Sequence, residues 1–126
     1  MKEVAYVHAE GMPGGFLKHG TIALIDSDLY TLAFVPPKKD RELYDLTMGG
    51  VEEVKARNGF VLGFHFEQKD SKSGLFDEDI VLPKVETSVA PYLQLILAQL
   101  FSYFTATSLK RNVDRPRALA KSVTVA

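Results

Sequence analysis

The sequence predicts an α/β domain in which a parallel sheet is flanked by helices. Three observations point there. Short apolar runs of strand length, "YTLAFV" (30–35), "FVLGFHF" (60–66) and "IVLP" (80–83), recur between segments of helical period. The runs are apolar almost throughout, as suits strands of a parallel sheet covered on both faces. The segment from Thr87 to Leu109 carries no charge and is far too long for a strand, so it supplies a covering helix.

Taken in order, "KEVAYVHAE" sets Val4, Tyr6 and Val7 against Lys2, Glu3 and Glu10 and reads as the end of a helix. "GMPGG" at Gly11 to Gly15 is expected to close it, because glycine tolerates the left-handed conformation and Pro13 stops continuation. "TIALI" (21–25) is a short apolar run, and Pro36-Pro37 ends the next one at Val35. Leu43, Leu46, Val51 and Val54 then fall at helical spacing, with Asp40 as the expected cap and Asn58-Gly59 as the stop. "FVLGFHF" follows, then a polar loop over 67–79, then the strand at Ile80 to Pro83.

The segment Thr87 to Leu109 is long enough to cross a bilayer. Gln94, Gln99, several hydroxyls and Pro91 near its start favour a buried helix over a membrane span. A helix apolar on most faces belongs between packed layers or at a subunit interface. Two features depart from a complete domain of this class. The chain opens inside a helix, and no strand with a glycine-bearing turn precedes it, so the domain over 1–126 is expected to lack its first strand and turn.

Composition narrows the function. A chain of 126 residues with 46% apolar and 25% charged residues is one small globular domain or a piece of a larger one. Without cysteine there is no disulfide framework, thiolate metal site or thiol nucleophile, which fits a cytoplasmic protein. The N-terminus offers no signal-peptide core. From Leu109 onward Lys110, Arg111, Arg115, Arg117 and Lys121 face only Asp114, so a basic end closes an otherwise acidic chain. No aromatics interleave with those basic residues, which speaks against nucleic acid.

No reaction follows from spacing alone. His8, Glu10 and His19 match no zinc signature, so no metal is expected. "GMPGG" lacks both phosphate-loop patterns, and no serine sits in G-x-S-x-G. Taken singly, Glu3 is a solvated helix charge and Lys121 a tail lysine.

Four landmarks change that reading. "KEVAYVHAEG", "FLKHGTIALID", "VEEVKARNG" and "VDRPRALAKSVTV" occur in order from Lys2 to Val125. Together they resemble the second sugar isomerase (SIS) subdomain at the C-terminal end of the glucosamine-6-phosphate synthases, also called glutamine–fructose-6-phosphate aminotransferases. The resemblance implies an SIS-type fold with a catalytic tail at about 112–126. In the family a glutaminase domain releases ammonia from glutamine. Two SIS subdomains isomerise fructose-6-phosphate and accept the nitrogen, giving glucosamine-6-phosphate, with no cofactor.

By the same resemblance Glu3 moves a proton between C1 and C2 of the sugar, and Lys121 forms a Schiff base with the ketose carbonyl. His19 assists ring opening and is offered to the neighbouring subunit of a homodimer. The residue types suit the roles: an amine makes an iminium electron sink, a carboxylate shuttles the adjacent proton, and imidazole titrates near neutrality. Because Glu3 and Lys121 are far apart in the chain, the tail must fold back over the N-terminal helix.

Phe16 stands where family members carry an acid before "LKHG", and the loop 67–79 has no clear counterpart. The family's serine- and threonine-rich phosphate cradle lies in the first SIS subdomain, so these residues alone are expected to have little or no activity. Two alternatives are a glutaminase-free SIS isomerase or deaminase, and a non-catalytic sugar-phosphate-binding or interaction module. Glu3, His19 and Lys121 together argue against a sensor, which needs no Schiff-base lysine.

Overall fold

The computed structural model describes residues 1–67 and 74–117. They form two compact units. One spans Met12–Gln94, and the other joins Met1–Gly11 to the chain from Leu95 onward.

The first unit holds a three-stranded parallel sheet in the order β1 (Tyr30–Phe34), β2 (Phe60–Phe66), β3 (Glu78–Leu82). Tyr30 pairs with Phe60 and Phe34 with Phe64, while Leu62 pairs with Glu78 and Phe66 with Leu82. The helix between β1 and β2 (Arg41–Lys55) makes the crossover that a parallel pair requires. Its predicted start is correct: Asp40 is the N-cap, and its side chain accepts a long hydrogen bond of 3.5 Å from the Leu43 amide. Its predicted stop is correct too, with Asn58 in the left-handed conformation at φ 61°.

The core is built where periodicities meet. Tyr44, Met48, Val51 and Val54 of this helix bury their stripe against Ala33, Val35 and Val61, with Leu17 and Ile25 closing the cluster. β2 is central and its residues are the most deeply packed; Val61 and Phe64 are fully buried. The Val35 amide donates to the Phe64 carbonyl at 2.8 Å and carries the β1–β2 pairing past the end of β1.

Four points correct or complete the expectations. The N-terminal helix α1 is one turn, Lys2–Ala5, and it ends at Tyr6 in the left-handed conformation rather than at the glycines. The apolar run at Thr21–Leu24, to which the sequence assigned no element, is a 3₁₀ turn, as is the segment Gly14–His19 before it. The sequence Ala-Leu-Ile is too short to choose by itself, and Ile25 gains more by entering the core. Thirdly, the polar loop ends two residues early, because β3 starts at Glu78. Leu75 and Phe76 within it pack on the core, and the Asp77 carboxylate takes Lys55 Nζ at 2.7 Å and the Val61 amide at 2.7 Å.

Fourthly, the long helix runs over Ala90–Ser108 but is not buried. With the N-terminal turn as α1 and Arg41–Lys55 as α2, this helix is α3. Tyr92, Leu95, Ile96, Leu100, Tyr103 and Phe104 are each exposed. Among the described residues no helix is long and apolar enough to cross a membrane.

Candidate functional site

Glu3 stands in the single turn of α1, with its side chain at the surface. It lines an open cleft of about 670 Å³ that lies wholly within the unit built from the N-terminal residues and the chain after Leu95. Gln99, Ser102 and Tyr103 of α3 form one wall, and Val113 and Asp114 close another. The cleft therefore collects a carboxylate from the start of the chain and a backbone segment from more than a hundred residues later.

The return of that segment is written in short-range chemistry. α3 ends at Ser108, and Lys110 adopts the left-handed conformation at φ 55°. The Arg111 amide then donates to the Ala106 carbonyl at 2.8 Å, satisfying a carbonyl that the last helical turn leaves open. The side-chain oxygen of Asn112 accepts from the amides of Asp114 and Arg115 at 3.1 and 3.0 Å, an Asx turn that reverses the chain. Pro116 follows, and the Arg117 amide donates to the Tyr6 hydroxyl at 2.7 Å. The guanidinium carbons of Arg117 and Arg111 stand 4.0 and 5.4 Å from the Tyr6 ring centre.

The three sequence-predicted residues fare differently. Glu3 is on the cleft. His19 lies in the other unit, exposed at the end of the 3₁₀ segment Gly14–His19, with the Phe16 ring edge-on at 6.0 Å between centroids. Lys121 lies outside the described residues, as does the rest of the chain from 118. The segment that leads to it does come back to α1.

Near the cleft Lys2 Nζ meets Glu10 Oε1 at 2.6 Å, and this hydrogen bond, with the lysine's charge, holds the Glu10 carboxyl below its ordinary pKa. His8 is 3.6 Å from the same oxygen.

Sequence reasoning singled out neither Tyr6 nor Asn112 as anchors of the returning chain. Asn112 has a legible signal, an Asn two residues before an Asp-x-Pro. It also passed over His65, which is 4% exposed, stacks on Phe76 at 5.3 Å between ring centres and meets Asp79 Oδ2 through Nε2 at 2.7 Å. A lone histidine within an apolar run gives no hint of a partner fourteen residues on, in the next strand.

No family model matches the chain. It is 48% identical over 124 residues, 98% of its length, to the "Glutamine--fructose-6-phosphate aminotransferase [isomerizing]" of Methanococcus maripaludis, and spans 20% of that relative. Against the enzyme of the same description from Aquifex aeolicus the identity is 43% over 125 residues, covering 99% of the chain and 21% of the relative. The chain thus spans about a fifth of the length of these curated relatives. Among solved structures it is similar to the C-terminal domain of glucosamine-fructose-6-phosphate aminotransferase from Francisella tularensis, with a TM-score of 0.72 and 37% identity, over 91% of this chain and 32% of that one.

Proposed function

The chain is a homologue of the glutamine–fructose-6-phosphate aminotransferases and shares the fold of their C-terminal domain, and from this we propose that it carries the isomerase chemistry of an enzyme making glucosamine-6-phosphate from fructose-6-phosphate and ammonia drawn from glutamine. The observation that supports the reading is the cleft shared by Glu3, Val113 and Asp114, with the Arg117 amide bonded to Tyr6 just short of Lys121 in the chain.

The Lys121 amine adds to the C2 carbonyl of the open-chain ketose and water leaves, giving an iminium. Ammonia displaces the lysine and leaves its nitrogen on C2. The Glu3 carboxylate takes a proton from C1, and the C–H electron pair moves into the C1–C2 bond as an enaminol. Return of the proton to C2, with loss of the C1 hydroxyl proton to water, makes C1 an aldehyde and fixes the amine on C2. In water the C1 proton is far too weakly acidic for a carboxylate; the iminium at C2 is what brings the transfer within reach.

His19 serves ring opening, from a neighbouring subunit of a homodimer. Its exposure at the end of the 3₁₀ segment Gly14–His19 supports its being offered to a partner. The residues over 112–126 act as the catalytic tail of an SIS subdomain in a cytoplasmic enzyme.

Borohydride reduction of the full-length protein in the presence of fructose-6-phosphate tests the proposal. A sugar adduct on Lys121, lost in Lys121→Ala, is the expected result. An adduct on another residue, or none, overturns it. Glu3→Gln is expected to keep the adduct and lower turnover about 10²- to 10⁴-fold.

A further inference from the structure

Tyr6 is an unusual residue in this unit. It ends α1 in the left-handed region at φ 59°, which a non-glycine residue enters at a cost. Such a conformation persists when surrounding contacts over-determine it. Among the described residues, two arginines from one stretch of chain meet its side chain. The ring faces the guanidinium groups of Arg111 and Arg117, and the hydroxyl accepts the Arg117 amide at 2.7 Å. All three residues belong to the same compact unit as Glu3.

The geometry has a consequence for the reaction. Tyr6 is three residues beyond Glu3, and Arg117 is four residues before Lys121. A contact between them joins the two reacting groups by seven residues of chain, where the sequence itself separates them by more than a hundred. Loop-closure entropy and the misplacement of reacting atoms both shrink when a tether is short. The contact is also polar and directional. The hydrogen bond uses the backbone amide of Arg117, so it fixes the path of the chain and not merely one side chain.

We propose that Tyr6 is a positioning residue for the Schiff-base step: it clamps Arg117 and so fixes the stretch of chain from which Lys121 follows four residues later. The inference rests on the function proposed above. It assigns Tyr6 no contact with substrate, and Arg117 acts as the clamped partner through its backbone amide and its guanidinium.

The test uses the full-length protein with Tyr6→Phe, Tyr6→Ala and Arg117→Ala. Hydrogen–deuterium exchange without substrate reads the clamp itself. Tyr6→Phe keeps the ring and loses the hydroxyl, so exchange at the Arg117 amide rises about fivefold. In Tyr6→Ala the rise is larger. Steady-state kinetics read the positioning: kcat falls about tenfold in Tyr6→Ala and in Arg117→Ala, with KM for fructose-6-phosphate within about twofold, and Tyr6→Phe recovers most of it. Arg117→Ala leaves α1 intact and guards against a folding defect at Tyr6. Unchanged exchange at residue 117 in Tyr6→Ala overturns the clamp, and raised exchange with unchanged kcat in Tyr6→Ala overturns the positioning role. Failure of the underlying reading is separate, since it appears as an absent borohydride adduct in the unsubstituted protein.

Discussion

Asp77 carries more structure than its place in a polar loop suggests. Its carboxylate accepts the Lys55 ammonium on both oxygens and the Val61 amide on one, tying the end of α2 and the start of β2 to the segment before β3. The hydrogen bond from Lys55, then that from Val61, lowers its pKa from the ordinary value. A lowered folded pKa means the ionised form favours the native state. That contribution is complete above the unfolded carboxyl's pKa of about 3.9 and is lost as pH falls through the lower folded value. Asp77→Asn is therefore expected to destabilise the protein by about 1 kcal/mol at pH 7. Wild type and variant should converge as pH drops below about 4, which urea unfolding at a series of pH values checks. A difference that persists undiminished at pH 2 would contradict the account. By contrast the Lys39–Glu86 pair, with both side chains largely exposed, contributes little.

Among the elements, β2 shows most directly how packing selects residues. Gly63 faces Phe76: a Cβ built there would sit 2.6 Å from one ring carbon and 2.9 Å or closer to two others. Phe76 in turn stacks on His65, which is held by Asp79, so the ring has little room to retreat. Gly63→Ala is expected to cost about 1–3 kcal/mol. Combined with Phe76→Ala the two costs should fall well short of adding, because the second change removes the clash made by the first. Thermal or denaturant unfolding of the single and double variants measures the difference. The strand pattern of β1 and β2 was legible because an uninterrupted apolar run of five to seven residues, bounded by proline or glycine, suits few other conformations. The 3₁₀ turn at Thr21–Leu24 was not legible. Its composition equals that of a strand, and only the position of Ile25 in the core distinguishes them. The length of α1 was missed for a related reason. The helical spacing of Val4 and Val7 persists past Tyr6, where the backbone turns left-handed and the hydroxyl takes the Arg117 amide.

For the molecule as a whole, the exposed apolar surface of α3 is the departure that matters. Leu95 and Phe104 are 57% and 61% exposed, and an uncharged helix with such residues in water is a surface that associates. The 126-residue chain by itself is expected to self-associate with rising concentration, and Leu95→Glu with Phe104→Glu to shift it toward monomer in sedimentation experiments. It is also expected to turn over no detectable fructose-6-phosphate. The relatives are about five times as long, and binding energy from the sugar phosphate is what lowers the barrier at the reacting carbon. Measurable turnover by this chain alone would refute that.

Local patterns in the amino acids sufficed for the parallel α/β class, for α2 with its Asp40 cap and Asn58 stop, and for the order of the landmarks by which the chain resembles its relatives. These depend on propensity and period within a dozen residues, which a chain carries without reference to its fold. The return of residues 113–117 to α1, the left-handed Tyr6 that receives them and the His65–Asp79 pair were decided only in three dimensions. Each joins residues whose partners lie elsewhere in the chain, and the burial or strain that makes the contact worthwhile exists only once the fold has formed.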